Sequence, residues 1–428
     1  MLDLNLIREN PESVKQALLK RMDTVDFDTL LRWDRKRRER IAEIGKLREK
    51  RNKVSAQIPQ MKKAGQDTTR VQNEMKSVSG TIKTLETDLL EVERKIKTFL
   101  EALPNIPADD VPPGDKENNE VIRVWDEKPN LGDWAKDHVE LVTSLRLIDY
   151  ERGVKMGGTG FWLYRGSGAR LEWALLNYFI EDHLKDGYEF ILPPHILTYP
   201  CGYTAGQFPK FGDDVFHLKS EHEKGVQFLL PTAETALINF HRDEIIPEEA
   251  LPRKYFAYTP CYRKEAGSYR TQERGMIRGH QFNKVEIFQF TRPEDSEAAL
   301  EELIAKAERL VQGLNLHHRV SKLAARDASA AMAKTYDIEV WIPSMDEYKE
   351  VSSASNAHSY QARRGSIRFK RTETGKNEFV HTLNASGLAT SRLIPAIVEQ
   401  GQQANGSVII PEALRPYMGG CEILEPKK

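Results

Sequence analysis

Residues 261–290 concentrate the side chains of this sequence that are best suited to anion chemistry. Arg263 and Arg278 carry planar guanidinium groups that match the geometry of phosphate oxygens. Glu265 and Glu286 are carboxylates on segments that otherwise have the apolar character of buried strands. Cations and carboxylates so close together along the chain indicate a site for a polyanionic ligand.

A strand hairpin is predicted to position these side chains. Apolar and polar residues alternate over residues 284–288, which is the period-two pattern of a half-buried strand. The turn formers Gly267, Ser268 and Gly275 separate this strand from the segment before it. The pattern predicts two paired strands joined by a long charged tip that includes Arg274.

This hairpin resembles motif 2 of the class II aminoacyl-tRNA synthetases, and its segments EAGS, ERG, IRG and HQF are similar to those of seryl-tRNA synthetases. NASGLATSR at residues 384–392 resembles motif 3 of that class. TAE at 232–234 resembles the family's serine-contacting loop, and EVSSASN at 350–356 resembles its metal and ATP segment. Ordered segments spread over about 200 residues are far more specific than one short motif.

The resemblance implies attack of the serine carboxylate on the α-phosphorus of ATP, with seryl-adenylate and pyrophosphate as products. It implies transfer of serine to tRNA(Ser), with tRNA(Sec) as a second candidate acceptor. Arg263 would bridge the α-phosphate and the serine carboxylate, and Glu265 would orient the nucleotide. Arg278 would hold the β- and γ-phosphates, and Arg392 the γ-phosphate. These four residues are the predicted catalytic set.

The same resemblance supplies further ATP contacts, which are Lys264, Gly279, Phe282, Glu350, Val351, Ser352 and Ser353. Phe282 would stack on the adenine ring with Arg392 on the other face, although an aromatic residue here also fits a plain core position. Glu350 and Ser353 resemble the pair that holds Mg²⁺, a cation that takes oxygen ligands. A glutamate followed by serines is on its own a weak signal.

Serine selection needs a buried acceptor, because a small pocket cannot exclude alanine by size. Glu286 fits that need and by resemblance accepts the serine hydroxyl. The alternative for Glu286 is a salt bridge to Lys284 or to an arginine on a solvent-facing strand, and the alternative for Glu265 is an ion pair with Arg263. The other residues implied to contact serine are Thr232, Ala233, Glu234, Asn384, Ser386 and Arg263.

The N-terminal part of the sequence predicts a helical hairpin. Residues 32–63 contain thirteen Lys or Arg against four acids, a local net charge of plus 9 in a chain of net charge −1. Apolar residues from Val71 to Phe99 repeat at alternating spacings of four and three, which is typical of a coiled-coil seam. The basic arm from Arg32 to Lys63 is predicted to bind the backbone of the serine tRNA. The alternative is a solvated face of a structural coiled coil.

The predicted fold class is α+β: an N-terminal antiparallel two-helix coiled coil, and a class II catalytic domain whose antiparallel sheet is flanked by helices. Four prolines within ten residues place a linker at 104–120, between an N-terminal domain (1–103, hairpin about 31–100) and a catalytic domain (121–428). No P-loop and no GxGxxG motif occur, so side chains must bind the phosphates. The three cysteines are widely spaced and form no CxxC pair, which argues against a Cys-based zinc site.

Partners and location follow from the same features. No apolar run approaches the ~20 residues of a spanning helix, so no membrane partner is expected and the protein is predicted to be cytoplasmic. L-serine and a second copy of the chain are the other expected partners. Tyr269 and Arg270 make the hairpin tip bulky and basic, which keeps open a paralogue with a biosynthetic or resistance role. A non-catalytic tRNA-binding protein is the third alternative.

Overall fold

The computed structural model describes residues 1–219, 225–265 and 275–426. Two compact units are present. The larger unit comprises residue 1, residues 20–22 and residues 105–428, and the hairpin unit comprises residues 2–19 and 23–104. The proline-rich segment from Asn105 onward belongs to the larger unit, because the Asn105 amide nitrogen donates to the carbonyls of Ala331 (2.9 Å) and Ala357 (2.8 Å).

The elements are numbered in chain order over the described residues. The helices are α1 (Leu4–Glu9), α2 (Pro11–Leu19), α3 (Asp28–Lys63), α4 (Thr69–Ala102), α5 (His138–Ser144), α6 (Tyr150–Gly157), α7 (Ser167–Lys185), α8 (Tyr199–Thr204), α9 (Glu234–Leu237), α10 (Ser296–Gly313), α11 (Tyr360–Arg364) and α12 (Thr390–Gln400). The strands are β1 (Glu120–Trp125), β2 (Ile148–Asp149), β3 (Leu163–Tyr164), β4 (Glu189–Ile191), β5 (Ile196–Thr198), β6 (His217–Leu218), β7 (Gln227–Leu229), β8 (Ile245–Pro247), β9 (Arg253–Tyr262), β10 (Gln281–Thr291), β11 (His318–Lys322), β12 (Lys334–Ile342), β13 (Glu347–Asn356), β14 (Arg368–Lys370), β15 (Asn377–Phe379), β16 (His381–Ala389), β17 (Val408–Ile409) and β18 (Ile423–Leu424).

Two long helices, α3 and α4, form the predicted hairpin of the N-terminal unit. Ile44 of α3 packs with Ile82 and Leu85 of α4 in one apolar cluster, as the spacing of the apolar residues predicts. The edge of Trp33 meets the ring of Phe99 at the other end of the hairpin, with ring centroids 6.3 Å apart. Within the described ranges, every helix is too short or too polar to span a lipid bilayer.

The larger unit is built on an eight-stranded sheet with the order β1-β11-β12-β13-β16-β10-β9-β4. Neighbouring strands pair antiparallel except β4 and β9, which are parallel. The predicted antiparallel sheet with flanking helices is thereby confirmed, and so is the α+β class. Apolar side chains of α7, α10 and α12 form one core with residues of the sheet.

Strand β10 differs from the prediction in one respect. We predicted a half-buried strand, but the residues from Lys284 to Thr291 are all buried. Val285 and Ile287 face the helix-covered core. Because successive side chains point to opposite faces, Lys284 and Glu286 share the other face of the strand. The alternation therefore separates an apolar face from a buried polar face, and the polar face belongs to the candidate active site described next.

Candidate active site

One pocket brings together residues from four segments of the predicted site. It lies where β10, β13 and β16 meet the start of α12 and the residues that flank the hairpin tip. Its lining residues are Arg263, Glu265, Ile277, Arg278, Gly279, Phe282, Lys284, Glu350, Val351, Ser386, Ala389, Ser391 and Arg392. All four predicted catalytic residues line this pocket. Antiparallel pairing of β10 with both β9 and β16 is what places segments that are distant in sequence side by side.

Arg263 follows the last residue of β9 and is held through its backbone and its side chain. Its backbone N–H donates to the carbonyl of His280 (3.0 Å), which continues the hairpin beyond the two strands. Its Nε donates to the carbonyl of Pro231 (3.2 Å), and its guanidinium carbon lies 5.2 Å from the centroid of the Phe282 ring. Arg263 also lines an adjacent pocket that contains Thr232. Its guanidinium therefore lies at the border of two pockets.

Glu265 pairs with Arg278, not with Arg263. The Nε of Arg278 lies 2.6 Å from Glu265 Oε2, and its Nη2 lies 2.5 Å from the same oxygen. Both side chains are partly exposed, so the pair contributes little to the free energy of unfolding. The pair does hold a guanidinium group and a carboxylate at the mouth of the pocket, where a bound nucleotide could contact either.

Arg392 lies in the first turn of α12, whose apolar residues pack into the core. Its Nη1 donates to the carbonyl of Glu350 (2.8 Å) and lies 3.3 Å from the Glu350 carboxylate. Its Nε donates to the carbonyl of Ile277 (3.1 Å). These bonds join α12 to β13 and to the segment that precedes β10, and they fix the guanidinium at the pocket wall.

The residues predicted to hold Mg²⁺ lie on β13, and the structure adds Asp337 beside them on β12. Ser353 pairs with Asp337 across the two strands. Burial, and then the nearby carboxylate of Glu350, raise the pKa of Asp337 well above its ordinary value. Asp337 Oδ1 is buried and has no hydrogen-bond partner among the described residues. Glu350, Ser353 and Asp337 thus offer oxygen atoms, which are the ligands that a hard cation prefers.

Protein side chains alone do not complete such a site. Over the residues that the structure describes, no group of three or more His, Cys, Asp or Glu side chains is placed to hold a metal ion. A cation at Glu350 and Ser353 would therefore complete its ligand shell with phosphate oxygens and water, as Mg²⁺ usually does.

A second, fully buried group of polar side chains lies around Glu286. Asn384 Nδ2 donates to Glu286 Oε1 (2.9 Å), and the hydroxyl of Thr232 donates to Oε2 (3.4 Å). Lys284 forms an ion pair with Oε2 and donates to the Thr232 hydroxyl (2.7 Å). The salt bridge to Lys284 is thus present, but on a buried strand and not on a solvent-facing one. Asn384 Oδ1 is buried and has no partner among the described residues.

Glu234 is the last residue of the TAE triplet and the first residue of α9. Gln361 Nε2 donates to Glu234 Oε1 (2.7 Å), and the Glu234 backbone N–H donates to the Thr232 hydroxyl (3.4 Å). Burial, and then the negative charge of Glu286, raise the pKa of Glu234 to about 7. Two carboxylates that face one small volume favour a cationic ligand between them.

The remaining predicted residues take several positions. Val351 and Ser386 line the pocket, and Ala233 is buried behind it. Ser352 is not at the pocket wall, because its buried hydroxyl donates to the carbonyl of Ser386 (2.6 Å). Lys264 is held by its backbone N–H, which donates to the carbonyl of Asp214 (2.9 Å).

Gly279 is required by close packing. A Cβ atom at this position would lie 2.1 Å from Cζ3 of Trp162 and 3.0 Å from the carbonyl oxygen of Gly160. The backbone at Gly279 therefore lies directly against the Trp162 ring. Any side chain here would displace the ring or the pocket wall.

Sequence reasoning missed several residues of the site or its support, among them the pocket-lining residues Ile277, Ala389 and Ser391. Lys284 was considered only as an alternative partner, although its spacing of two from Glu286 already placed both on one strand face. Asp337, Gln361 and Trp162 have no local signal, since only the fold brings them to the site. Gly267, Ser268, Tyr269, Arg270 and Arg274, at the hairpin tip, lie outside the described residues.

Comparison with known proteins was made for the whole chain. Residues 1–107 match the family described as seryl-tRNA synthetase N-terminal domain, and residues 216–401 match the tRNA synthetase class II core domain (G, H, P, S and T). Serine--tRNA ligase 2 of Clostridium acetobutylicum is 64% identical over 421 residues, covering 98% of this chain and 99% of that protein. Serine--tRNA ligase of Listeria innocua is 45% identical, covering 100% of both chains.

A solved structure agrees over the same length. The crystal structure of seryl-tRNA synthetase from Pyrococcus horikoshii complexed with ATP superposes with a TM-score of 0.93 at 35% identity, and the match covers 100% of each chain. Seryl-tRNA synthetase is therefore the family to which sequence and structure both lead.

Proposed function

The chain belongs to the seryl-tRNA synthetase family, and from this premise we propose that it activates L-serine with ATP and transfers the serine to tRNA(Ser). The observation that carries the proposal is the position of Arg263. Together with Glu265 and Arg278, Arg263 lines both the pocket that contains Glu350 and Arg392 and the pocket that contains Thr232. A cation at the border of these pockets can contact the α-phosphate and the serine carboxylate at once.

Adenylate formation brings two anions together. A serine carboxylate oxygen forms a bond to the α-phosphorus, and the bond from that phosphorus to the bridging oxygen of pyrophosphate breaks. Arg263 neutralises the charge that repels the two reactants, and Arg278 and Arg392 hold the departing β- and γ-phosphates. Glu265 and Phe282 bind the adenosine part, with Lys264, Gly279 and Val351 as further contacts. Ser352 contributes through its backbone alone, because its hydroxyl is engaged by Ser386.

Mg²⁺ is the cation that we propose for Glu350 and Ser353. When bound, the cation would neutralise negative charge on the phosphates. The protein supplies the carboxylate of Glu350 and the hydroxyl of Ser353, and Asp337 lies next to them with an unpaired carboxylate oxygen. ATP is the substrate that provides the remaining oxygen ligands.

Serine is selected by Glu286, whose buried carboxylate accepts the substrate hydroxyl. We assign Ser386 and Ala233 as further residues of this small site. Asn384 supplies a buried carbonyl oxygen that has no partner among the described residues, and Glu234 binds the ammonium group. Alanine fills the same space but leaves the acceptor of Glu286 unmet.

We expect ATP–pyrophosphate exchange to depend on serine and to be poor with alanine or threonine. An unmet buried acceptor costs about 1–3 kcal/mol, which corresponds to a loss of about 5- to 150-fold in kcat/KM for alanine. The measurement is exchange of labelled pyrophosphate with each amino acid in turn. Equal rates with serine and alanine would remove Glu286 from this role. Complete absence of exchange in a folded, ATP-binding protein would favour the non-catalytic tRNA-binding alternative.

The pH dependence of serine activation should report Glu234. Its pKa of about 7 means that the carboxyl group is protonated below that pH and ionised above it, and only the ionised form attracts the serine ammonium. We therefore expect kcat/KM for serine to rise with pH through about 7, because kcat/KM follows the ionisation of the free enzyme.

A control is needed because burial also raises the pKa of Glu172 to about 7. Glu234→Gln should lower activity and abolish the step in the profile. A step that persists unchanged in Glu234→Gln would assign it to another group and contradict this role of Glu234.

Binding of the tRNA is assigned to the hairpin unit, which lies within the match of residues 1–107 to the seryl-tRNA synthetase N-terminal domain. Many cations of α3 are paired across the hairpin. Lys36 and Arg40 contact Asp88, Arg48 contacts Glu86, and Lys50 contacts Glu74. Five others are exposed and have no ion pair among the described residues: Arg32, Arg35, Lys46, Lys62 and Lys63. We assign the phosphate contacts to this unpaired set.

We also propose a homodimer located in the cytoplasm. Large apolar side chains remain exposed on α7 and near the strands that follow it, among them Trp173 (52% exposed) and Leu192 (72% exposed). Apolar side chains this exposed are typical of surfaces that bind another protein. A second copy is the expected occupant. Sedimentation equilibrium should give twice the chain mass of 49.0 kDa, and a single-chain mass would contradict the dimer.

A further inference from the structure

We propose that Lys284 is the positioning residue that aims the Glu286 carboxylate, so that one acceptor site remains for the hydroxyl of serine. The inference rests on the proposed function and extends it to a residue that the seryl-tRNA synthetase resemblance did not supply. Lys284 is buried in the middle of the sheet and is only 5% exposed. A lysine is almost never buried to this extent unless its charge is paired.

The hydrogen bonds of Glu286 leave little freedom. A carboxylate offers about four lone-pair sites, two on each oxygen. Oε2 receives the Lys284 ammonium and the Thr232 hydroxyl, and Oε1 receives the Asn384 amide at 2.9 Å. Three sites are thus used, and the one that remains is on Oε1. A site with one free acceptor accommodates one external donor.

Lys284 fixes this arrangement from two directions. It contacts Glu286 Oε2 directly, and it donates to the Thr232 hydroxyl at 2.7 Å, which orients that hydroxyl to donate to the same oxygen. The ammonium therefore determines which of the two carboxylate oxygens is fully satisfied within the protein. Without it, the carboxylate would be free to rotate, and no single lone pair would be reserved for the substrate.

Charge balance supports the same role. The buried site contains the carboxylates of Glu286 and Glu234, and Lys284 is the cation paired with Glu286. Removing one partner of a buried ion pair leaves the other charge uncompensated, which is strongly unfavourable. Loss of Lys284 should therefore change both the charge and the orientation of Glu286, while Arg263 and the nucleotide contacts stay in place.

Lys284→Met tests this role, since methionine retains most of the side-chain length and removes the charge. In ATP–pyrophosphate exchange, we expect the KM for serine to rise by about 10- to 100-fold, as for truncation of a buried charged pair. The KM for ATP should stay within about twofold, because the lost group acts on Glu286. Preference for serine over alanine should fall by about tenfold or more.

A double-mutant cycle with Glu286→Gln separates positioning from direct substrate contact. If Lys284 acts through Glu286, Lys284→Met should add less than about threefold to the defect of Glu286→Gln, because residues that act as a unit are not additive. Full multiplication of the two defects would overturn the inference and make Lys284 a direct ligand of serine. A parallel rise in the KM values for serine and ATP would overturn it as well.

Lys306→Met is the matched control for folding. Lys306 is also 5% exposed and also forms an ion pair, with Asp186, but it lies on α10 outside the pocket. The Lys306→Met substitution should lower thermal stability without changing the preference for serine over alanine. If the wild type exchanges pyrophosphate with serine, but folded Lys284→Met keeps the wild-type preference for serine over alanine, the role of Lys284 is overturned and the proposed function stands. Absence of serine-dependent exchange in the wild type would overturn the proposed function, and this inference with it.

Discussion

Arg263→Ala should lower the rate of seryl-adenylate formation by about two or more orders of magnitude, which is the usual cost of removing a preorganised charge at a reacting phosphate. The guanidinium lies at the border of two pockets and is held there by the carbonyl of Pro231 and by the ring of Phe282. In the proposed reaction it is the group that touches both anions. Single-turnover formation of adenylate from serine and ATP measures the effect directly.

The fold should survive this substitution, because Arg263 is partly exposed and its backbone hydrogen bond to His280 is retained. Arg253→Ala provides a matched control. Arg253 is an exposed arginine at the opposite end of the same strand, β9, and it should leave the rate unchanged. Near-normal adenylate formation in folded Arg263→Ala would show that the motif 2 assignment is wrong.

Replacing four of the five exposed, unpaired cations of α3 with glutamine, at Arg35, Lys46, Lys62 and Lys63, should reduce kcat/KM for charging of tRNA(Ser) by about 100-fold at physiological salt. Each lost phosphate contact should also make the dependence of log K on log salt shallower by about 0.9. Serine-dependent pyrophosphate exchange should be unchanged, since it takes place in the larger unit. Charging and exchange assays at several salt concentrations measure both effects.

The control removes the same amount of charge from the paired set. Glutamine at Lys36, Arg40, Arg48 and Lys50 breaks the contacts with acids of α4, so it should weaken the hairpin more than it weakens tRNA binding. If both quadruple variants charge tRNA as well as the wild type, or if tRNA binding does not depend on salt, the hairpin is a structural coiled coil. The same charging assay with tRNA(Sec) tests the second candidate acceptor, and a preference for another acceptor would favour a specialised paralogue.

The elements whose signals are local were predictable from the sequence. The α3–α4 hairpin follows from the repeat of its apolar residues. The strand β10 was placed by its alternation, and the turn formers before it indicated a partner strand, which is β9. Local patterns predict these elements because each element buries one face, and the apolar residues of that face repeat with the period of a helix or a strand. The family resemblance added roles for Arg263, Glu286 and Arg392 that no periodicity contains.

Only the tertiary structure decided how these residues are paired. The partner of Glu265 is Arg278 and not Arg263, and Glu286 forms an ion pair with the buried Lys284. Burial of β10 on both faces was also invisible, because an alternating pattern looks the same whether its polar face meets water or a pocket.

Contacts between distant segments explain the rest. Asp337 comes beside Ser353 through strand pairing, Gln361 reaches Glu234 from α11, and Trp162 packs against Gly279. The sequence alone therefore determined which side chains could do the chemistry and which elements carry them. The geometry of the site depended on long-range antiparallel pairing and on the burial of charge, because these arise only when segments far apart in the chain meet in one sheet.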